Sequence, residues 1–511
     1  MVYGRFSFPS ATFDLSGYAK TLKFNMTMKL IAKPIILALL SLIPLSALSV
    51  NAEPATGKAL VTVHPENPGV AIPTDFLGFS IEKKILSIEC FQPKNSVLIN
   101  LFTNLGAGVL RIGANEGDST FWSRTEMTPL SGMKTFGYTL KPLTIGPLSL
   151  NNLYGFSKQS GWRVIHGLNL GTYDPAMAAD EVTYALQVGG SSVLAFEVGN
   201  EPNLYRKNAA RDGLRAADYG YAQYRREIEG YYGAILAKAL GAPLGGPATT
   251  RFCNWLPDFV RDFKTRIKLV TSHGYAISGS EKDPQSIWFP SIENLMRPQK
   301  DKEQVWLPKL EAAKAAGIPC RFDEYNSCTE GGRRGVSDVF ASALWNVDFM
   351  LAVAEQGGAG VNLHGGFGAK AGYSPFSYRD NRYFVNPIYY SMLLFHQAAQ
   401  GRVVPVECQT LANFVAHAVL GEDRKLRVVL INKDLTNSVV ASIVAGLPNT
   451  KARVIHLTAP SATSTEGITL AGSAVAGDGT WKPLPGAPVS CVNGKFEVSV
   501  PAASATVLTV E

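Results

Sequence analysis

Cysteine is scarce and poorly spaced for binding a metal. The chain holds six, Cys90, Cys253, Cys320, Cys328, Cys408 and Cys491, and no two form a C-x-x-C pair, which argues against a thiolate zinc site. Its seven histidines include no H-E-x-x-H arrangement, so no metal and no other cofactor is expected. Charged residues make up only 17% of the chain, with a net charge of +7. That excess suits an acidic ligand. Zinc-finger spacing, an RNP-type aromatic motif and dense Lys/Arg runs are all missing, so nucleic acid is not an expected partner. Long apolar runs are missing too: Pro34 and Pro44 cut the N-terminal apolar stretch well below the ~20 residues that a membrane-spanning helix needs.

What stands at the N-terminus reads as a bacterial-type secretory leader. Basic Lys29 and Lys33 precede apolar residues around Ile35 to Leu48, and the small-residue site Val50-Asn51-Ala52 follows, which predicts cleavage after Ala52. Residues ahead of Met26 or Met28 have no place in such a leader, so residues 1–52 are assigned to an extension and signal peptide. The expected destination is secreted or periplasmic, with no membrane anchor after cleavage. Export permits disulfides. Cys408 and Cys491 share the C-terminal region and either pair or stay as buried thiols.

The hydrophobic fraction of 46% is that of a folded globular protein. From about residue 74 to 401, short apolar runs alternate with longer helical patterns. Eight strands are predicted, at 76–82, 108–114, 163–170, 192–198, 243–249, 268–275, 319–325 and 358–365. Helices are predicted over 218–240 and 305–317, the latter two ending at Gly241 and Gly317. Eight such repeats predict an α/β fold, a (β/α)8 TIM barrel. Residues 402–511 change to alternating β-type runs punctuated by Gly, Pro, Asn and Asp, which predicts a C-terminal β-sandwich. The run at 58–65, within residues 53–73, is expected to add a strand to that sandwich.

In such a barrel, polar groups at the C-terminal strand ends form the mouth of the site. Here those ends carry Glu82, Asn115, Asp118, Asn200, Glu201, His273, Tyr275, Glu324, Asn326 and His364. Glu201, in EVGNEPNLY, follows the fourth strand; Glu324, in RFDEYNS, ends the seventh. A glycosidic bond is cleaved by one carboxylic acid protonating the leaving oxygen and a second carboxylate acting at the anomeric carbon. The acid must start protonated and the nucleophile ionised, and a negative Glu324 beside Glu201 favours that division. Glu197 is read as structural, paired with a base. Asp323 is expected to face away from Glu324 by strand alternation. His273 and His364 are read equally as substrate contacts or hydrogen-bonded core histidines.

These segments resemble the retaining barrel glycosidases and, more narrowly, glycoside hydrolase family 79, the β-glucuronidase and heparanase family. The resemblance is carried by FLGFSIEKK, RIGANEGDSTFW, EVGNEPNLY, TSHGYAIS, RFDEYNSCTEGG, VNLHGG and YSPFSY. It implies Glu201 as acid/base and Glu324 as nucleophile, Asn200 on the sugar 2-hydroxyl and Tyr275 against the nucleophile. It places Asp118, Glu82 and Tyr373 on the glucuronic acid. Asn115 and His273 are added as substrate contacts from their position at the mouth. The family holds the sugar carboxylate on amides of a Tyr-Gly-Gly stretch; here Thr329-Glu330 precede Gly331 and Gly332, which would supply those amides without the tyrosine.

The expected partner is an oligo- or polysaccharide containing glucuronic acid. The basic group Arg206, Lys207, Arg211 and Arg215 tilts the reading toward internal cleavage of heparan sulfate-type chains. Rival readings are an exo-β-glucuronidase, a barrel glycosidase for a neutral sugar such as a xyloside or arabinofuranoside, and a non-catalytic carbohydrate-binding protein.

Overall fold

The computed structural model describes residues 57–132, 141–207, 213–367, 372–447 and 451–511; the predicted leader and Arg211 lie outside these. Eight parallel strands close into a barrel: β1 (Gly78–Glu82), β2 (Val109–Gly113), β3 (Arg163–Leu168), β4 (Val193–Val198), β5 (Leu244–Thr249), β6 (Ile267–Ile277), β7 (Cys320–Cys328) and β8 (Gly360–His364). They are the eight expected from the apolar runs. β1, β2, β5, β7 and β8 are buried at every position, because the barrel interior covers one face and helices the other. Such strands read as continuous apolar runs rather than alternating ones.

A principal helix follows each strand: α1 (Ser96–Thr103), α2 (Pro147–Ser160), α3 (Pro175–Gly189), α4 (Tyr221–Lys238), α5 (Leu256–Phe263), α6 (Leu307–Ala315), α7 (Phe340–Glu355) and α8 (Pro387–Ala398). Their ends follow local chemistry. The Asp174 side chain accepts the Met177 N–H ahead of α3, where Pro175 occupies the first turn. α2 stops at Gly161, whose φ of +74° suits glycine. Val109, Ile165, Ala195 and Leu269 form a small apolar cluster from the N-terminal halves of β2, β3, β4 and β6, which leaves the C-terminal ends to polar groups.

The C-terminal region packs two sheets. One has the strand order Val406–Thr410, Gly57–Val63, Val439–Val444, Phe496–Val500. The N-terminal strand thus runs through its middle, antiparallel to one neighbour and parallel to the other. The second sheet includes Phe414–Gly421, Leu426–Asn432 and Ser504–Val510. Alternation along Leu426–Asn432 divides the work: Val428 and Leu430 face the other sheet, while Val429 and Ile431 join the apolar cluster of the barrel helices. All six cysteines are free, and Cys408 and Cys491 pack against the same inter-sheet cluster without bonding.

Candidate active site

β4 ends at Val198, and the chain turns at Gly199 with φ +80°, where a Cβ would come within 2.7 Å of the Leu170 side chain. Glu201 itself has φ +48°, a left-handed conformation costing roughly 1–2 kcal/mol for a residue with a side chain. It is held there by Pro202, which opens a 3-10 turn, and by its N–H donating to the Ala248 carbonyl of β5 at 2.9 Å. The acid is thereby swung out of the strand line and over the barrel mouth.

Glu324 arrives by a different device. The register of β7 shifts against β6 between Arg321 and Glu324, and against β8 between Phe322 and Tyr325. Such a bulge re-aims side chains. Asp323 therefore does not face away as strict alternation predicts: its Oδ2 lies 3.1 Å from Arg111 Nε inside the barrel, and it is fully buried. Burial and the neighbouring Glu197 carboxylate push Asp323 well above the usual carboxylate range.

Arg111, at the centre of β2, organises the group and was not singled out in the sequence. Its Nη1 donates to Glu324 Oε2 at 2.7 Å, its Nη2 to Glu197 Oε2 at 2.7 Å and to Asn200 Oδ1 at 2.8 Å. It is the base that Glu197 was expected to pair with. The available signal was an arginine in the middle of the otherwise apolar V-L-R-I-G strand, since a fully buried cation needs anionic partners.

The two glutamates meet around His273. Its Nδ1 lies 2.9 Å from Glu201 Oε1 and 3.6 Å from Glu324 Oε1. One oxygen each of Glu201 and Glu324, with a His273 nitrogen, all fall within 4.8 Å of one another. Tyr275 donates its hydroxyl to Glu324 Oε1 at 2.8 Å. Burial opposes ionisation of Glu324, but His273, His364, Arg111 and the Tyr275 hydroxyl outweigh it and hold the carboxyl far below its ordinary range. For His273, burial favours the neutral ring; the Glu324 charge and the hydrogen bond to Glu201 reverse that and raise it. These three side chains are the cluster that could hold a cation among the described residues.

Around this pair stand the remaining expected residues. Asn200 donates from Nδ2 to Asn115 Oδ1 at 2.9 Å. Asp118 accepts the Tyr205 hydroxyl at 2.5 Å and the Leu170 N–H at 3.2 Å. Glu82 accepts the Glu116 N–H at 2.7 Å, and His364 Nε2 lies 3.9 Å from its other oxygen. Tyr373 is buried close to Glu324 and Glu82, with its carbonyl accepting from Asn326. Gly331 and Gly332 have φ of +82° and +88°, and a Cβ on Gly332 would strike the Tyr373 ring at 2.8 Å. The Gly332 N–H is donated to the Thr329 carbonyl at 3.3 Å.

Arg215 leaves the expected basic group. It pairs with Glu227 at 2.7 Å, donates to the carbonyls of Leu170 and Gly171, and lies over the rings of Tyr205 and Tyr219. Arg206 and Lys207 are exposed.

Comparisons with known proteins agree with this layout. Residues 416–507 match the glycosyl hydrolase family 79 C-terminal beta domain. A β-glucuronidase of Neurospora crassa is 28% identical over 309 residues, covering 53% of each protein, so the chain spans about half the length of that relative. A β-glucuronidase of Aspergillus niger is 25% identical over 432 residues, 76% of this chain and 75% of that one. Among solved structures, a 4-O-α-L-rhamnosyl-β-D-glucuronidase from Fusarium oxysporum superposes with a TM-score of 0.74 at 20% identity, covering 88% of this chain and all of that one. A family 51 arabinofuranosidase from Xanthomonas axonopodis gives 0.65 at 14% identity over 89% of this chain and all of that one. The structural likenesses speak for the fold, and the sequence matches narrow the likeness to glycoside hydrolase family 79, whose C-terminal beta domain residues 416–507 match.

Proposed function

We propose that this chain is a retaining β-glucuronidase, with Glu324 as nucleophile and Glu201 as acid/base. The observation that carries the reading is the approach of the two carboxylates to within 4.8 Å at the barrel mouth. A retaining, double-displacement site needs carboxyl groups roughly 5–5.5 Å apart, whereas an inverting site needs room for a water between them. The β-glucuronidase relatives supply the choice of sugar.

The chemistry follows from charge. Arg111 and Tyr275 hold Glu324 ionised and aimed. Glu201 gives its proton to the departing oxygen as Glu324 bonds the anomeric carbon, leaving a glycosyl ester on Glu324. His273, in contact with Glu201 and near Glu324, steadies the charge that moves between them. Glu324 is then neutral, Glu201 takes a proton from water, and the resulting hydroxide releases the sugar with its configuration kept. Asn200, Asn115, Asp118, Glu82, Tyr373 and the Gly331 amide line the sugar-binding side.

Internal cleavage of heparan sulfate-type chains is the second reading, supported by exposed Arg206 and Lys207 just beyond the Glu201 turn. The same reading takes the chain to be exported by its N-terminal leader. Among the described residues, no helix is long and apolar enough to cross a membrane. Hydrolysis of p-nitrophenyl β-glucuronide in preference to the xyloside is expected, and preference for the neutral sugar would refute the substrate assignment. Sizing the products from heparan sulfate separates internal cleavage, which gives an oligosaccharide ladder, from terminal trimming.

A further inference from the structure

Beyond the end of β5 the chain places two buried cations around a cavity of about 480 Å³ and gives them no acid. Arg251, just beyond β5, is 7% exposed, and its Nη1 donates to the carbonyls of Tyr275 and Ile277. Its guanidinium lies 4.6 Å from the Phe252 ring centre and 4.7 Å from that of Trp288. Lys309, on α6 and also 7% exposed, donates to Ser272 Oγ at 2.7 Å and to the Thr250 carbonyl at 3.1 Å. Neither makes an ion pair among the described residues, and no acidic side chain lines the cavity. Burying a cation without a counter-charge is costly. Burial accordingly lowers Arg251 to about 10 and Lys309 to about 8. An anion entering the cavity would offset that cost.

The position says which part of a substrate would reach it. Glu201 is tied to β5 through Ala248, and Lys309, which lines the cavity, donates to the carbonyl of His273 at 3.4 Å, the residue whose ring contacts Glu201. A leaving group departs on the side of the acid that protonates it, so this cavity stands on the leaving-group side. Its shape is set by rings and aliphatic surface: Phe252, 61% exposed, meets Trp288 edge to face at 5.4 Å, with Leu256 and Pro308 beside them. Flat apolar walls favour an aromatic ring, and Arg251 presents a planar fork suited to a carboxylate.

Resting on the glucuronidase reading, we infer that this cavity is a leaving-group subsite for an aromatic aglycone bearing a carboxylate, held by Arg251 and lying against the Phe252–Trp288 pair. The test compares 4-carboxyphenyl β-glucuronide with its neutral counterpart, 4-carbamoylphenyl β-glucuronide, on the full chain. The acid is expected to have about tenfold higher kcat/KM, the size of one charge-assisted hydrogen bond. This ratio, taken within each variant, should fall to near one in Arg251→Met and to an intermediate value in Arg251→Lys, which keeps the charge but loses the fork. Phe252→Ala should raise KM for both aryl substrates and not for methyl β-glucuronide. A wild-type ratio near one, an unchanged ratio in Arg251→Met, or a sulfated glucosamine leaving group that outcompetes the aryl acid would overturn the inference. Failure of the glucuronidase reading shows separately, as no turnover of any glucuronide. Titration of 4-hydroxybenzoate then decides the subsite: binding that Arg251→Met abolishes supports it, and absent or unchanged binding refutes it.

Discussion

Arg111 has no exposed surface and donates to the side chains of Glu324, Glu197 and Asn200. Arg111→Met would leave Glu197 and Glu324 buried without their cation, and removing one partner from such a group costs about 3–5 kcal/mol. Chemical denaturation should register that loss together with loss of activity; a variant of native stability would show that Arg111 is not the keystone. Glu201→Ala should lower kcat/KM by ~10²–10⁴-fold on a poor leaving group, while on an activated aryl glucuronide azide should restore kcat and yield a β-glycosyl azide. Azide without effect, or an α-azide product, would contradict the acid/base role. At this scale the sequence was informative where chemistry is announced by context: Glu201 and Glu324 each stand just past an apolar strand. Arg111 was legible in principle, as a charge in an apolar strand. Arg215 was misleading, because its Glu227 partner comes from α4 and no local pattern shows which face meets it.

The elements explain both what was readable and what was not. Continuous apolar runs announced eight strands because each is covered on both faces. The bulge in β7 was invisible, since one extra residue leaves composition unchanged while turning Asp323 inward. Between elements, α7 and the sandwich share a buried charge network: His417 contacts Glu355 at 2.6 Å and Asp348 at 3.1 Å, and Lys433 contacts Asp348 at 2.7 Å. Burial opposes charge on His417, but Glu355 and Asp348 outweigh it and raise the imidazole to about 10. Its folded value lies above the unfolded value of 6.5. The stabilisation it brings is therefore complete below that pH and is lost as pH rises toward 10. The melting temperature should accordingly fall between pH 7 and about 10, and His417→Gln should lower it at pH 6 and flatten the alkaline decline. An unchanged alkaline slope in the variant would refute the assignment.

Across the whole molecule, the N-terminal strand Gly57–Val63 completes a sheet otherwise made by residues beyond 400. Its apolar alternation was visible, but its two neighbours, one antiparallel and one parallel, depend on contacts that no local stretch encodes. Removing residues through Val63 would expose two strand edges, and the truncated chain is expected to aggregate or melt well below the intact one; equal melting temperatures would contradict that role. The convergence of Glu201 and Glu324 was legible only through the barrel, which brings distant strand ends to one mouth. The measurement that tests this convergence most directly is trapping with a 2-deoxy-2-fluoro-β-glucuronosyl fluoride followed by peptide mass spectrometry. The account predicts one covalent label, on Glu324, and a β-configured first product from substrate. A label on another residue, or an α-configured first product, would contradict it.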